Sequence, residues 1–144
     1  METLFSKNAV GLYVQVWEER QAGKPLSGNA ALISDAMGAH PEFDPYWTQG
    51  EAAFHPQEID GYVVNPLIHI GLHAVIEGQL RDQDPLECIA ALKALLQSGL
   101  PRHEAIHKLA ALWGNLYFQS VRRGGALDEG AYVTELTGLI PAEG

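Results

Sequence analysis

Apolar residues recur every three or four positions along most of the chain, which is the spacing of one face of an amphipathic helix. Glycine, proline and short polar runs interrupt the pattern and divide it into helical segments. No segment shows a convincing alternation of apolar and polar residues, so we predict an all-α fold, a bundle of five to six helices. The predicted helices run from about Ser6 to Gln21, Ser27 to Gly38, Pro66 to Leu80, Pro85 to Gly99, Pro101 to Arg123 and Asp128 to Leu139.

Residues that favour helix ends support these boundaries. Asn65 can cap the third helix, and Pro66 fits the first helical position because the N–H that it lacks is not needed there. The fourth and fifth helices are expected to begin in the same way, with Pro85 and Pro101 as their first residues. The third helix is apolar on most sides and is therefore expected to be central. On the fourth helix, the residues expected to face inward are Ile89, Leu92 and Leu96.

A long segment without helical periodicity separates the second and third helices. Prolines and glycines punctuate residues 39–64, which favours a loop with at most a short helical turn. The segment contains too many aromatic residues for a free linker: Phe43, Tyr46, Trp47 and Phe54. We therefore expect this aromatic-rich loop to pack across the helices and to cover part of them.

Length and composition narrow the class of protein. The chain has 144 residues, 47% of them apolar and 19% charged, which fits a single helical domain over residues 1–144. The net charge of −9 and the lack of a basic stripe argue against nucleic acid or an anionic membrane as a partner. No signal peptide or membrane span is apparent and only one cysteine is present, so we expect a cytoplasmic location. A homo-oligomer is compatible with this composition, and the sequence identifies no small-molecule ligand.

Histidines at helical spacing are the main candidate for chemistry. His69 and His73 lie four residues apart, and so do His103 and His107, so each pair projects from one face of its helix. Glu77 continues the first row. If two such helices face each other, their imidazoles could bind a transition metal such as zinc or iron, as metal sites in helical bundles do. A coordination position left open could then hold a reactive water.

Two other interpretations of the same residues remain open. The imidazoles could be polar core groups bonded to carbonyls or carboxylates, within a non-catalytic module for protein–protein interaction. His103 could simply face solvent, because it lies in the first turn of its helix. Cys88 is predicted to be a small buried apolar residue and not a nucleophile. Whether the protein is an enzyme stays undecided, since motifs for hydrolases, dinucleotides and P-loop nucleotides are missing.

The run NPLIHIGLHAVIEGQ, Asn65 to Gln79, resembles a segment of the form NPFLHMGLHLAIREQ in a bacterial family known as domain of unknown function 1841 (DUF1841). HPEF, from His40 to Phe43, resembles that family's HPEYH. Further similar stretches follow in the same order and cover most of the chain: Lys24–Leu26, His107, Phe118, Arg122–Gly124, Leu127–Glu129 and Tyr132.

The resemblance implies a fold and a set of residues but no reaction. The residues that match the family pattern are Asn65, Pro66, His40, His69, His73 and His107. If a metal is bound, we expect His69, His73 and His107 to be its ligands, with His40 or water completing the coordination. The chain departs from the pattern at Glu77, where the family has a basic residue, and at Asp44, where it has a histidine.

Overall fold

The computed structural model describes residues 4–141, which are mainly α-helical, as predicted. The α-helices in this part of the chain are α1 (Val10–Gln21), α2 (Gly28–Gly38), α3 (Pro66–Asp82), α4 (Leu86–Gln97), α5 (Arg102–Arg122) and α6 (Glu129–Gly138). Between α2 and α3 lie the strands β1 (Gln57–Ile59) and β2 (Tyr62–Val64). Short 3-10 helices occupy Lys7–Ala9, Pro41–Tyr46 and Gly50–Phe54.

Backbone proximity divides the chain into two compact units, Met1–Ala74 and Val75–Gly144. The division falls within α3. The single domain expected from the sequence stays a prediction.

In the first unit, α1 packs against α2. Tyr13 and Val16 of α1 are buried, as are Ile33 and Met37 of α2. The start of α1 was wrong by four residues. A 3-10 turn precedes Val10. The side chain of Ser6, the residue before this turn, accepts no capping hydrogen bond from the N–H groups of the described residues.

A β-hairpin stands where no strand was expected. β1 pairs with β2 in antiparallel orientation. The connecting residues Asp60 and Gly61 have φ values of 52° and 86°, as a type I′ turn requires. The prediction that the chain contains no strands was therefore wrong for residues 57–64. Three-residue strands are too short to show alternation, but the Asp-Gly pair was a usable signal for a hairpin.

The aromatic segment between α2 and β1 is packed, as predicted. Phe43 and Trp47 are buried, and the Trp47 ring stacks on Tyr13 of α1 with the ring centroids 5.9 Å apart. Two prolines, Pro41 and Pro45, favour the short 3-10 helix found here because they lack the N–H that a longer α-helix needs. The segment thus carries part of the first unit's core.

The capping prediction for α3 is confirmed. The Asn65 side chain accepts a hydrogen bond from the Ile68 N–H at 3.2 Å, and Pro66 is the first helical residue. Gly71 allows a close approach to this helix. A Cβ at that position would lie 2.7 Å from Phe5 Cε1 and 2.7 Å from the Tyr13 hydroxyl. Glycine is therefore required here by packing and not by backbone conformation.

Gly71→Ala is expected to lower the free energy of unfolding, because the added methyl overpacks a buried contact at a cost of about 1–3 kcal/mol. The gain of about 1 kcal/mol in helix propensity then leaves a net loss of up to about 2 kcal/mol. Gly11→Ala is the matched control, since a Cβ at Gly11 in α1 meets nothing within 4 Å. Urea denaturation of both variants makes the measurement. Equal or greater stability of Gly71→Ala would show that Phe5 and Tyr13 move aside without cost.

In the second unit, α4, α5 and α6 pack on one another. The inward face of α4 was wrong by one residue: Cys88, Ala91 and Leu95 are buried, whereas Leu96 is 38% exposed. The fourth and fifth helices begin one residue after their prolines, because Pro85 and Pro101 occupy the N-cap position. The predicted starts at these prolines were therefore one residue too early.

Polar contacts in the second unit join α6 to α3 and α4. The Asp128 side chain caps α6 by accepting from the Ala131 N–H at 2.9 Å, at the predicted helix start. Tyr132 donates its hydroxyl to Gln79 Oε1 at 2.6 Å and lies 3.9 Å from Cys88 Sγ. Cys88 is fully buried, which confirms that it is a packing residue. Burial also raises the pKa of its thiol.

Candidate metal centre

Three imidazoles meet in the first unit. His40 follows α2 and directly precedes the 3-10 helix Pro41–Tyr46, while His69 and His73 lie one turn apart on α3. The ring centroid of His40 lies 4.7 Å from that of His69 and 4.5 Å from that of His73. The His69 and His73 centroids are 4.9 Å apart. The helical spacing brought the α3 pair together, and the chain reversal after α2 adds the third ring.

Hydrogen bonds fix the orientation of the His40 ring. Its Nδ1 lies 2.7 Å from the carbonyl oxygen of Ala36, one turn earlier on α2. A carbonyl only accepts, so Nδ1 carries the proton and Nε2 of the neutral ring keeps a lone pair. That Nε2 lies 3.1 Å from His69 Nε2, which donates to it. Metal-binding histidines are commonly held in this way, with one ring nitrogen bonded to a carbonyl and the other directed at the ion.

The distance between these two Nε2 atoms suits a shared ion. Zinc lies about 2.0–2.1 Å from a histidine nitrogen, so an ion bound by both atoms would subtend an angle of roughly 100° between them. That angle is close to the value for tetrahedral coordination. Binding would require His69 Nε2 to give up its proton, which a shift of the neutral ring's tautomer accomplishes.

The cluster is buried and has an apolar wall. His40 is 1% exposed and His73 is 5% exposed. The Phe43 ring stacks on His40 at 5.3 Å and meets the edge of His69, also at 5.3 Å. Phe43 therefore limits access of water to two of the three rings. It lies three residues after His40, on the short 3-10 helix that follows this histidine.

Arg20 of α1 braces the end of α2 from which His40 extends. Its guanidinium donates to the carbonyl and hydroxyl oxygens of Ser34 at 3.1 and 3.2 Å, and it lies against Gly38. Asp44 lines a cavity of about 200 Å³ together with Arg20. Desolvation raises the pKa of Asp44, and the positive charge of Arg20 offsets part of that effect. Asp44 and Arg20 thus line the same cavity, and the charge of Arg20 acts on the Asp44 carboxyl.

The second unit holds the other histidine pair. His103 and His107 lie one turn apart near the start of α5, with ring centroids 4.4 Å apart. His103 is exposed, as one interpretation of the sequence anticipated, and His107 is half-buried. Next to this pair, Arg102 forms an ion pair with Glu77 at 2.9 Å. Glu77, which continues the histidine row of α3, is thereby held by a cation.

The structure therefore brings together three of the predicted site residues in the first unit, His40, His69 and His73, and it places His103 and His107 side by side in the second. A cluster of buried histidines exists. The contributions of Phe43 and the Ala36 carbonyl were not predicted. The spacing of Ala36 and Phe43 around His40 could have indicated them, because residues four before and three after a histidine lie near its ring on helical turns.

Comparisons with known proteins bear on identity and on fold. Within residues 4–141, no helix combines the length and the apolarity needed to cross a membrane. A search of curated proteins found no match. A search of solved structures also found none. The model of one protein family matches residues 6–138, nearly the whole chain, in agreement with the resemblance seen at the histidine segment of α3. The chain belongs to the family described as domain of unknown function DUF1841.

Proposed function

We propose that this protein binds one transition-metal ion through the imidazoles of His40, His69, His73 and His107. The observation that carries the proposal is the pair of Nε2 atoms of His40 and His69, 3.1 Å apart and backed by the Ala36 carbonyl. His73, one helical turn after His69 on α3, adds a third ring, whose centroid lies 4.5 Å from that of His40. Three imidazoles gathered in a buried place are costly to keep unless they serve a ligand or a hydrogen-bond network.

His107 of α5 supplies the fourth ligand in this proposal. It matches the family pattern, and His103 lies one turn before it on the same helix. A water molecule would fill any position that the histidines leave open.

The ligand type restricts the metal. Imidazole nitrogen suits zinc, copper, iron and nickel, whereas magnesium and calcium prefer oxygen ligands. The only cysteine, Cys88, packs between α4 and α6 and is not a candidate ligand. We accordingly propose that the metal is zinc or iron and that no thiolate is among its ligands.

Elemental analysis tests the proposal. The protein is produced without a polyhistidine tag, loaded with Zn²⁺ and freed of excess ion by gel filtration. We expect near-stoichiometric metal in the wild type and loss of most of it in His73→Ala, because a ligand nitrogen is removed from a buried site. His55→Ala is the matched control, since His55 is exposed and lies outside the candidate ligands.

Two results would contradict metal binding. One is a wild-type protein that retains no metal after loading with zinc, iron or nickel. The other is a His73→Ala variant that retains as much metal as His55→Ala. Either result would leave the histidines as a hydrogen-bonded core group.

The second candidate function is a module for protein–protein interaction. One observation favours it: Tyr62 and Val63 of β2 are each 74% exposed, which is unusual for neighbouring apolar side chains on a strand. In that case the histidines would brace the first unit, and the hairpin would contact the partner. A metal-free wild type would favour this candidate.

A further inference from the structure

We infer that the bound ion takes a small anion as an additional ligand, because the protein surrounds it with neutral groups only. This inference rests on the proposed metal site. It adds the chemical class of the exogenous ligand, a small monovalent anion.

The first step is the composition of the ligand set. Among the described residues, the side chains proposed as ligands are histidines alone, and no carboxylate or thiolate is among them. Neutral imidazoles leave the full charge of a divalent cation uncompensated. A metal site is incompletely described without that charge.

The second step is the fate of the neighbouring carboxylates. Glu77, one turn after His73 on α3, contacts the Arg102 guanidinium with both oxygens, at 2.9 and 3.2 Å. Asp44 and Arg20 line the same cavity. Glu42 and Glu104, which adjoin the histidine segments in sequence, are exposed. Glu77 is thus paired with an arginine, and Glu42 and Glu104 are solvated.

The third step is the surroundings of the cluster. His40 and His73 are almost fully buried, and Phe43 covers His40 and His69 with an apolar ring. An unbalanced double charge is expensive in such surroundings, because low polarity strengthens every uncompensated electrostatic interaction. A monovalent anion entering the coordination sphere supplies part of the missing negative charge. The apolar wall offers no hydrogen-bond donors for a larger polar ligand, which favours a small one.

Azide binding to cobalt-loaded protein tests the inference. Co²⁺ replaces the native ion and gives visible absorption bands that report its coordination. We expect sodium azide to shift these bands in a saturable manner, while sodium perchlorate at equal ionic strength leaves them unchanged. His69→Asp introduces a carboxylate into the ligand set and is expected to weaken azide binding by at least about tenfold, because it neutralises part of the charge.

The outcomes separate the two proposals. Cobalt bands that azide does not alter would overturn the anion inference and leave the metal site standing. Equal azide affinity in the wild type and in His69→Asp would also overturn it, since charge would then not govern binding. A wild type that acquires no cobalt bands would overturn the metal site itself.

Discussion

Replacement of His40 by asparagine is expected to lower the affinity for Zn²⁺ by more than about a hundredfold. Changes that only disturb the support of a ligand cost 10- to 100-fold, so removal of a ligand should cost more. Asparagine is chosen because its side-chain amide can replace Nδ1 as donor to the Ala36 carbonyl, a contact of 2.7 Å in the wild type. The variant therefore removes Nε2 while retaining the brace. Competition with a chromophoric chelator gives the affinity.

A second measurement separates loss of a ligand from loss of folding. With Zn²⁺ at 100 times its dissociation constant, the wild type should gain about 2.7 kcal/mol in free energy of unfolding. At the same concentration, a hundredfold weaker variant should gain only about 0.4 kcal/mol. His55→Ala should behave as the wild type. If His40→Asn keeps the full gain, His40 is not a ligand and the Nε2–Nε2 contact is a plain hydrogen bond.

The sequence predicted the parts of this site that depend on local spacing. His69 and His73 share a face because both lie on one long helix whose start Asn65 marks. The same reasoning placed His103 and His107 side by side on α5. Helical periodicity fixes such pairs without knowledge of the tertiary structure.

The rest of the first unit's cluster depends on tertiary packing, which periodicity does not reveal. His40 came into consideration only as a loop residue beside Pro41, and its contact with His69 spans 29 positions of the chain. The direction in which the chain leaves α2 decides that contact. The contact of Arg20 with Ser34 helps to hold that end of α2, and no pattern in the sequence connects those residues.

The fold shows the same division between local and distant causes. Proline was assigned to the first helical turn at positions 85 and 101, yet both prolines cap their helices from outside. The inward face of α4 is also shifted by one residue from the predicted one. Cys88, Ala91 and Leu95 are buried in place of the residues that follow each of them. The choice between adjacent faces was made by the neighbours of α4, because its residues are apolar on both.

Alkaline solution is expected to destabilise the protein steeply above pH 10, through two buried tyrosines. Burial raises the pKa of Tyr13 far above its usual value. Burial also raises the pKa of Tyr132, with a smaller contribution from neighbouring Cys88. In the unfolded chain both hydroxyls titrate near 10. Above that pH the unfolded state loses protons that the folded state retains, so the free energy of unfolding falls as pH rises.

For each tyrosine, the expected slope is about 0.7 kcal/mol per pH unit at pH 10 and approaches about 1.4 kcal/mol per pH unit near pH 11, while the folded hydroxyl stays protonated. Urea denaturation at pH 9, 10 and 11 measures it. Tyr132→Phe should remove about half of this contribution, at a cost near neutral pH of about 1 kcal/mol for the lost bond to Gln79. Tyr62→Phe is the matched control, because Tyr62 is 74% exposed. A slope that Tyr132→Phe leaves unchanged would mean that this hydroxyl ionises in the folded protein as easily as in water. The contact that ties α6 to α3 would then break before the fold does.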